Sequence, residues 1–123
     1  MRGLSLRRAV ALSGLALLLA IAVATLIPAG WQIRTGLHWL VEHFLVYFAV
    51  TTLICLAWQR PLLVSAALML LAGLLEALQG LTADRAPDLA TAIFGAVGVL
   101  GGGSCAWWLQ RLRQRRQLPQ VRV

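Results

Sequence analysis

Apolar residues in this chain come in unbroken runs of about 20, the length that carries an α-helix across a bilayer at about 1.5 Å per residue. Four such runs can be bounded by charged or turn-forming residues. The first, Ala9 to Ile27, follows Arg2, Arg7 and Arg8 and stops at Pro28-Ala29-Gly30. The second, about Leu37 to Trp58, stops at Gln59-Arg60-Pro61, where proline forbids simple continuation of the helix. The third is Leu62 to Leu81. The polar stretch Thr82-Ala83-Asp84-Arg85-Ala86-Pro87 separates it from the fourth, Leu89 to Leu109, for which Asp88 is the expected N-cap. The pattern predicts an all-α fold, an integral membrane bundle of four transmembrane helices followed by a basic tail at 110–123.

Composition supports the membrane environment. A chain of 123 residues has room for one domain, and 60% of it is apolar and 12% charged, against roughly 45–50% and 25% in soluble domains. The mean hydropathy of +0.81 excludes both a water-soluble globule and a disordered chain. Net charge is +7, and all eleven basic residues are arginines. In a soluble protein this would suggest nucleic acid. Here no polar face exists on which a phosphate-tracking stripe could be spread, and the arginines cluster beside apolar runs, where anionic lipid head groups lie.

With four spans both termini share one side. Nine arginines lie on that side and only Arg34 and Arg85 on the other, so the termini are expected in the cytoplasm and the protein in the cytoplasmic membrane as a multi-pass chain. The alternative for the first run is a cleaved signal peptide, since Ala22-Val23-Ala24 has the small-x-small form of a cleavage site. Cys55 and Cys105 are far apart in apolar runs and read as small hydrophobes. Gly98 and Gly102 form a G-x-x-x-G, with Gly95 one turn earlier, and Gly73 and Ala77 repeat the spacing. Tight packing inside one bundle and homo-oligomerisation through the fourth helix are the two readings of that stripe.

Ionisable residues within a span are costly, about 2.5–3.5 kcal/mol each on insertion scales, and mark partners or function. The second run carries His38, Glu42, His43 and Tyr47, the third Glu76 and Gln79. His43 should lie about 9 Å below the outer end of its helix and Glu76 about 7–8 Å below the same boundary. The two are therefore expected to be level, with Glu42 beside them and Asp84, Arg85 and Asp88 just above. His43 and Tyr47, four apart, share a helix face, and His38 and Glu42 share another. Glu76 is expected to pair with His43 or Arg85. The cluster either fixes helix register or binds a ligand from the outer side. His38, Glu42, His43 and Glu76 form a weak metal signature, so no metal and no cofactor are expected. There is no Ser-His-Asp spacing, glycine-rich phosphate loop or C-x-x-C.

At these residues the sequence resembles the VanZ-like family of small bacterial membrane proteins. Glu42-His43-Phe44-Leu45-Val46-Tyr47-Phe48 is similar to the family's H-F-x-x-Y-F pattern, and Glu76-Ala77-Leu78-Gln79 to its E-x-x-Q, followed by Arg85 and a glycine-rich last helix with Gly98 and Gly102. Leu26-Ile27-Pro28 is similar to the end of the family's first helix. The family's asparagine is absent, its place being taken by Gly95 or Ala92, and its lysine is replaced by Leu40. The resemblance implies that His43, Tyr47, Glu76, Gln79 and Arg85 are the family's polar residues. It also implies an envelope role connected with resistance to the glycopeptide teicoplanin. An outward site would be compatible with an envelope glycolipid or cell-wall precursor whose phosphates meet Arg85. Readings of other classes are a small proton-coupled efflux transporter, whose usual first-helix glutamate is missing here, and a structural subunit of a membrane complex.

Overall fold

A computed structural model describes residues 5–117. They form α1 (Leu6–Leu26), a single 3-10 turn (Ala29–Trp31), α2 (Trp39–Trp58), α3 (Pro61–Gln79) and α4 (Leu89–Gln117), with no strand among the described residues. All four helices are long and apolar enough to cross a membrane. They run up and down, the upper end of the bundle being the one where α1 and α3 finish and α2 and α4 begin.

Each helix begins and ends where local chemistry dictates. The Ser5 hydroxyl accepts from the Arg8 N–H at 3.4 Å, so α1 starts a turn earlier than the apolar run and takes Arg7 and Arg8 into the helix. His38, expected inside the second span, is instead the N-cap of α2, its Nδ1 accepting from the Leu40 N–H at 3.3 Å. Gln59 ends α2 in the left-handed region (φ 56°), and Pro61 opens α3, so two residues suffice to reverse the chain. The third helix ends at Gln79, not Leu81. The largest departure is α4, which continues eight residues past the expected limit to Gln117. Gln, Leu and Arg are good helix formers, Gln110 Nε2 donates to the Cys55 carbonyl at 2.9 Å, and the Arg111 guanidinium lies 4.4 Å from the Trp107 ring centre. Residues 118–123, with Arg122, lie outside the described residues, as does Arg2.

The helices form a rhombus in cross-section. α2 and α3 touch each other and both of the others, whereas α1 and α4 do not meet. α1 crosses α2 at Gly14, where an added Cβ would come within 2.8 Å of Ile54. The closest approach is between α2 and α4, which are parallel. A Cβ on Gly98 would stand 2.6 Å from the Phe44 carbonyl, and one on Gly102 2.5 Å from the Phe48 carbonyl and 2.9 Å from Thr51 Cβ. Gly98 and Gly102 are thus buried against α2 within the same chain. Removing both side chains lets backbones approach closely, which is how helices associate where lipid tails are as apolar as the side chains they would displace. The Thr52 hydroxyl adds a polar tie, donating to the Phe48 carbonyl (2.8 Å) and lying 3.3 Å from that of Gly102.

Ile21, Tyr47, Val50, Ile54, Leu68, Leu75 and Val99 form the buried core. Large apolar side chains such as Leu19, Leu70, Ile93 and Leu100 point outward, a distribution suited to a hydrocarbon surround. Thr51, 0% exposed at the α2–α4 contact, has a hydroxyl with no hydrogen-bond partner. Thr51→Val, nearly isosteric, is expected to stabilise the bundle by about 1 kcal/mol, read as a higher melting temperature in detergent. A lower one would mean that the hydroxyl has a partner in solution.

Candidate functional site

The polar residues of the middle helices gather at the upper end. α2 begins at Trp39 and α3 ends at Gln79, so His43 and Glu76 lie about 6 Å and about 4–5 Å inside the helix ends. Their depths from the helix ends are similar, and both lie closer to those ends than the sequence reading expects.

His43 and Tyr47 share one face, with ring centres 5.3 Å apart. Both rest on α4 at Gly95, where a Cβ would sit 3.4 Å from the Tyr47 ring and 3.5 Å from His43 Cδ2. Tyr47 is buried and His43 half-buried. Glu42, one residue along, points elsewhere. Its Oε1 accepts from both the backbone N–H (3.1 Å) and the hydroxyl of Thr35, so it secures the loop that leads into α2. An acid in the first turn of α2 also complements the positive end of the helix.

Glu76 does not pair with either expected partner. Its Oε1 accepts from the Asp88 N–H at 2.8 Å. Asp88 is the N-cap of α4, its two carboxylate oxygens accepting from the Ala90 N–H (3.2 Å) and the Thr91 hydroxyl (3.0 Å). Two acids from different parts of the chain therefore meet the N-terminus of α4. Its exposed donors and positive dipole end supply the compensation that a histidine was expected to give.

Arg85 also finds a backbone partner. Its Nη1 donates to the Thr25 carbonyl at 3.0 Å, and its Nη2 is buried with no hydrogen-bond partner. Asp84 Oδ2 accepts from the Ala29 N–H at 2.8 Å, so consecutive residues of the α3–α4 loop bolt it to the end of α1. The loop is held down at its root as well. The Thr82 hydroxyl donates to the carbonyl of buried Gln79 (2.7 Å), and a Cβ on Gly80 would strike Pro87 at 2.9 Å. Among the described residues no carboxylate comes within ion-pair distance (4.0 Å) of Arg85 or His43.

The structure thus brings Glu76, Asp88 and Thr91 into one group and Arg85, Asp84, Thr25 and Ala29 into a second, with His43 and Tyr47 beside the first and Glu42 apart. Thr25 and Thr91 are participants that sequence reasoning passed over. The available signal was a hydroxyl within one turn of the upper end of its helix. No three His, Cys, Asp or Glu side chains among the described residues are placed to hold a metal ion. Chemically, the assembly offers an arginine whose buried Nη2 has no acceptor, held under a polar loop. No family model, curated protein or solved structure matches the chain.

Proposed function

We propose that the chain is a VanZ-like protein of the bacterial cytoplasmic membrane, with both termini inside, that serves the cell envelope by holding an anionic lipid head group at its outward end through Arg85. One observation carries this reading. The Nη2 of Arg85 is buried with no acceptor, and a buried donor of a cation left unpaired is costly unless something accepts from it. A phosphate oxygen supplies both the acceptor and the charge. The excess of arginines at the opposite end supports that orientation, and on the same reading the protein contributes to tolerance of teicoplanin.

The test is a titration of detergent-solubilised protein with a polyprenyl phosphate and with the corresponding uncharged polyprenol. Wild type is expected to prefer the phosphate by roughly 10-fold or more, the worth of one charge-assisted hydrogen bond. Arg85→Gln should abolish the preference and leave polyprenol binding unchanged. Equal affinity of wild type for the two would remove the head-group reading.

A second reading is favoured by the bonds already made. Asp84 to Ala29, Arg85 to Thr25 and Glu76 to Asp88 together clasp the ends of three helices. A closure with no ligand would lose stability in Arg85→Gln and bind neither probe.

A further inference from the structure

Away from the polar cluster, at the lower end, a cleft of about 310 Å³ lies between the start of α1 and the end of α2, lined by Ser5, Arg7, Arg8, Ala57 and Trp58 among others. A second hollow, a groove of about 360 Å³, runs up from it between α1 and α3 over Ile54 of α2. Its lining is almost wholly apolar and includes Leu15, Leu18 and Leu71. Trp58 borders both, so the two adjoin.

Their alignment follows from helix geometry. Arg7, Ala11, Leu15 and Leu18 recur at helical spacing and form one face of α1, polar at its foot and apolar above. From Arg7 to Leu18 that face climbs about 16 Å, the reach of a good part of an acyl chain. The foot is built to hold an anion. Arg7 Nε donates to the Ala57 carbonyl at 2.7 Å, which fixes the guanidinium at the mouth of the cleft and leaves its Nη groups without a partner among the described residues. Arg8 adds a second cation, and its side chain makes no hydrogen bond among the described residues. Ser5 caps the same helix end, whose dipole also favours negative charge.

We infer that this hollow is a site for one anionic phospholipid, with its phosphate between Arg7 and Arg8 and one acyl chain laid in the groove between α1 and α3. Charge complementarity selects the head and the apolar groove selects the tail. A soluble anion lacks the tail, and a zwitterionic phospholipid, although it carries a phosphate, brings a quaternary ammonium next to Arg7 and Arg8 and cancels the net charge they attract. The site is separate from the cluster around Arg85 and does not depend on what that cluster binds.

The test is native mass spectrometry of the full chain in mild detergent with equal amounts of phosphatidylglycerol and phosphatidylcholine. Wild type is expected to retain phosphatidylglycerol about ten-fold better, and glycerol phosphate should fail to displace it. Arg8→Gln should reduce the preference, and Arg7→Gln with Arg8→Gln should abolish it. Ala67→Phe, which fills an exposed position of the groove wall, should weaken retention with the melting temperature unchanged. Equal retention of the two lipids by wild type would overturn the head-group half, and so would Arg8→Gln retaining phosphatidylglycerol as wild type does. Displacement by glycerol phosphate, or full retention in Ala67→Phe, would overturn the acyl-chain half.

Discussion

Gly102→Ala and Gly98→Ala are each expected to destabilise the bundle by about 1–3 kcal/mol, the cost of forcing an extra methyl group into a packed contact. The new Cβ at residue 102 would stand 2.5 Å from the Phe48 carbonyl, and that at residue 98 2.6 Å from the Phe44 carbonyl. These neighbours are backbone atoms, so relief requires α2 and α4 to separate along their whole contact. Two other glycines serve as controls. At Gly101 the nearest atom is Phe48 Cδ2 at 3.2 Å, part of a ring that can turn aside, and at Gly73 nothing lies within 4 Å. Gly73→Ala should be neutral or stabilising by about 0.5–1 kcal/mol, the ordinary gain for alanine within a helix. Thermal unfolding of the four variants in detergent gives the ranking directly. If Gly102→Ala melts no lower than Gly73→Ala, α2 and α4 stand far enough apart in solution to admit a methyl group between them.

Glu76→Ala should carry the second largest effect, about 1.5–3 kcal/mol, the usual worth of a hydrogen bond to a charged group. It leaves the Asp88 N–H unmet at the head of the 29-residue α4. Glu76→Gln keeps an oxygen in the same place and should cost less than half as much. Equilibrium unfolding of the pair separates hydrogen bonding from charge. Equal losses would mean that the negative charge at the helix N-terminus, rather than the bond to Asp88, is what stabilises, and a neutral Glu76→Ala would remove the clasp altogether. Because Glu76→Gln leaves the fold in place, it is also the variant with which to ask whether an ionisable group at this position does chemistry.

The helices themselves were legible because Pro28, Pro61 and Pro87 punctuate apolar runs of membrane-spanning length, and Asp88 was recognisable as a cap. The end of α4 was not. Arg111 to Arg116 look like a solvated tail in sequence, but arginine and glutamine propagate a helix already begun, and Gln110 and Arg111 find partners on the way. At the upper end, depth along each helix can be read from residue number, since rise per residue is constant, and His43 and Glu76 lie at similar depths from the ends of α2 and α3. Depth does not determine which donor lies nearest. The α3–α4 loop folds back so closely that Gly80 meets Pro87. That brings the Asp88 N–H to Glu76 before any side chain of α2 can reach it. Backbone groups carry no label in a sequence, and here the Asp88 and Ala29 N–H groups and the Thr25 carbonyl take the partnerships that hold Glu76, Asp84 and Arg85.

The most extensive contact of the bundle joins α2 to α4, two parallel helices separated in the chain by the whole of α3. During synthesis α2 therefore leaves the ribosome well before its partner exists, since chains are made from the N-terminus onward. Until the last span emerges, Phe44, Phe48 and Thr51 present a narrow track of carbonyls and small contacts with nothing seated on it. A nascent chain stopped short of residue 98 therefore leaves Phe44, Phe48 and Thr51 without the helix that packs on them.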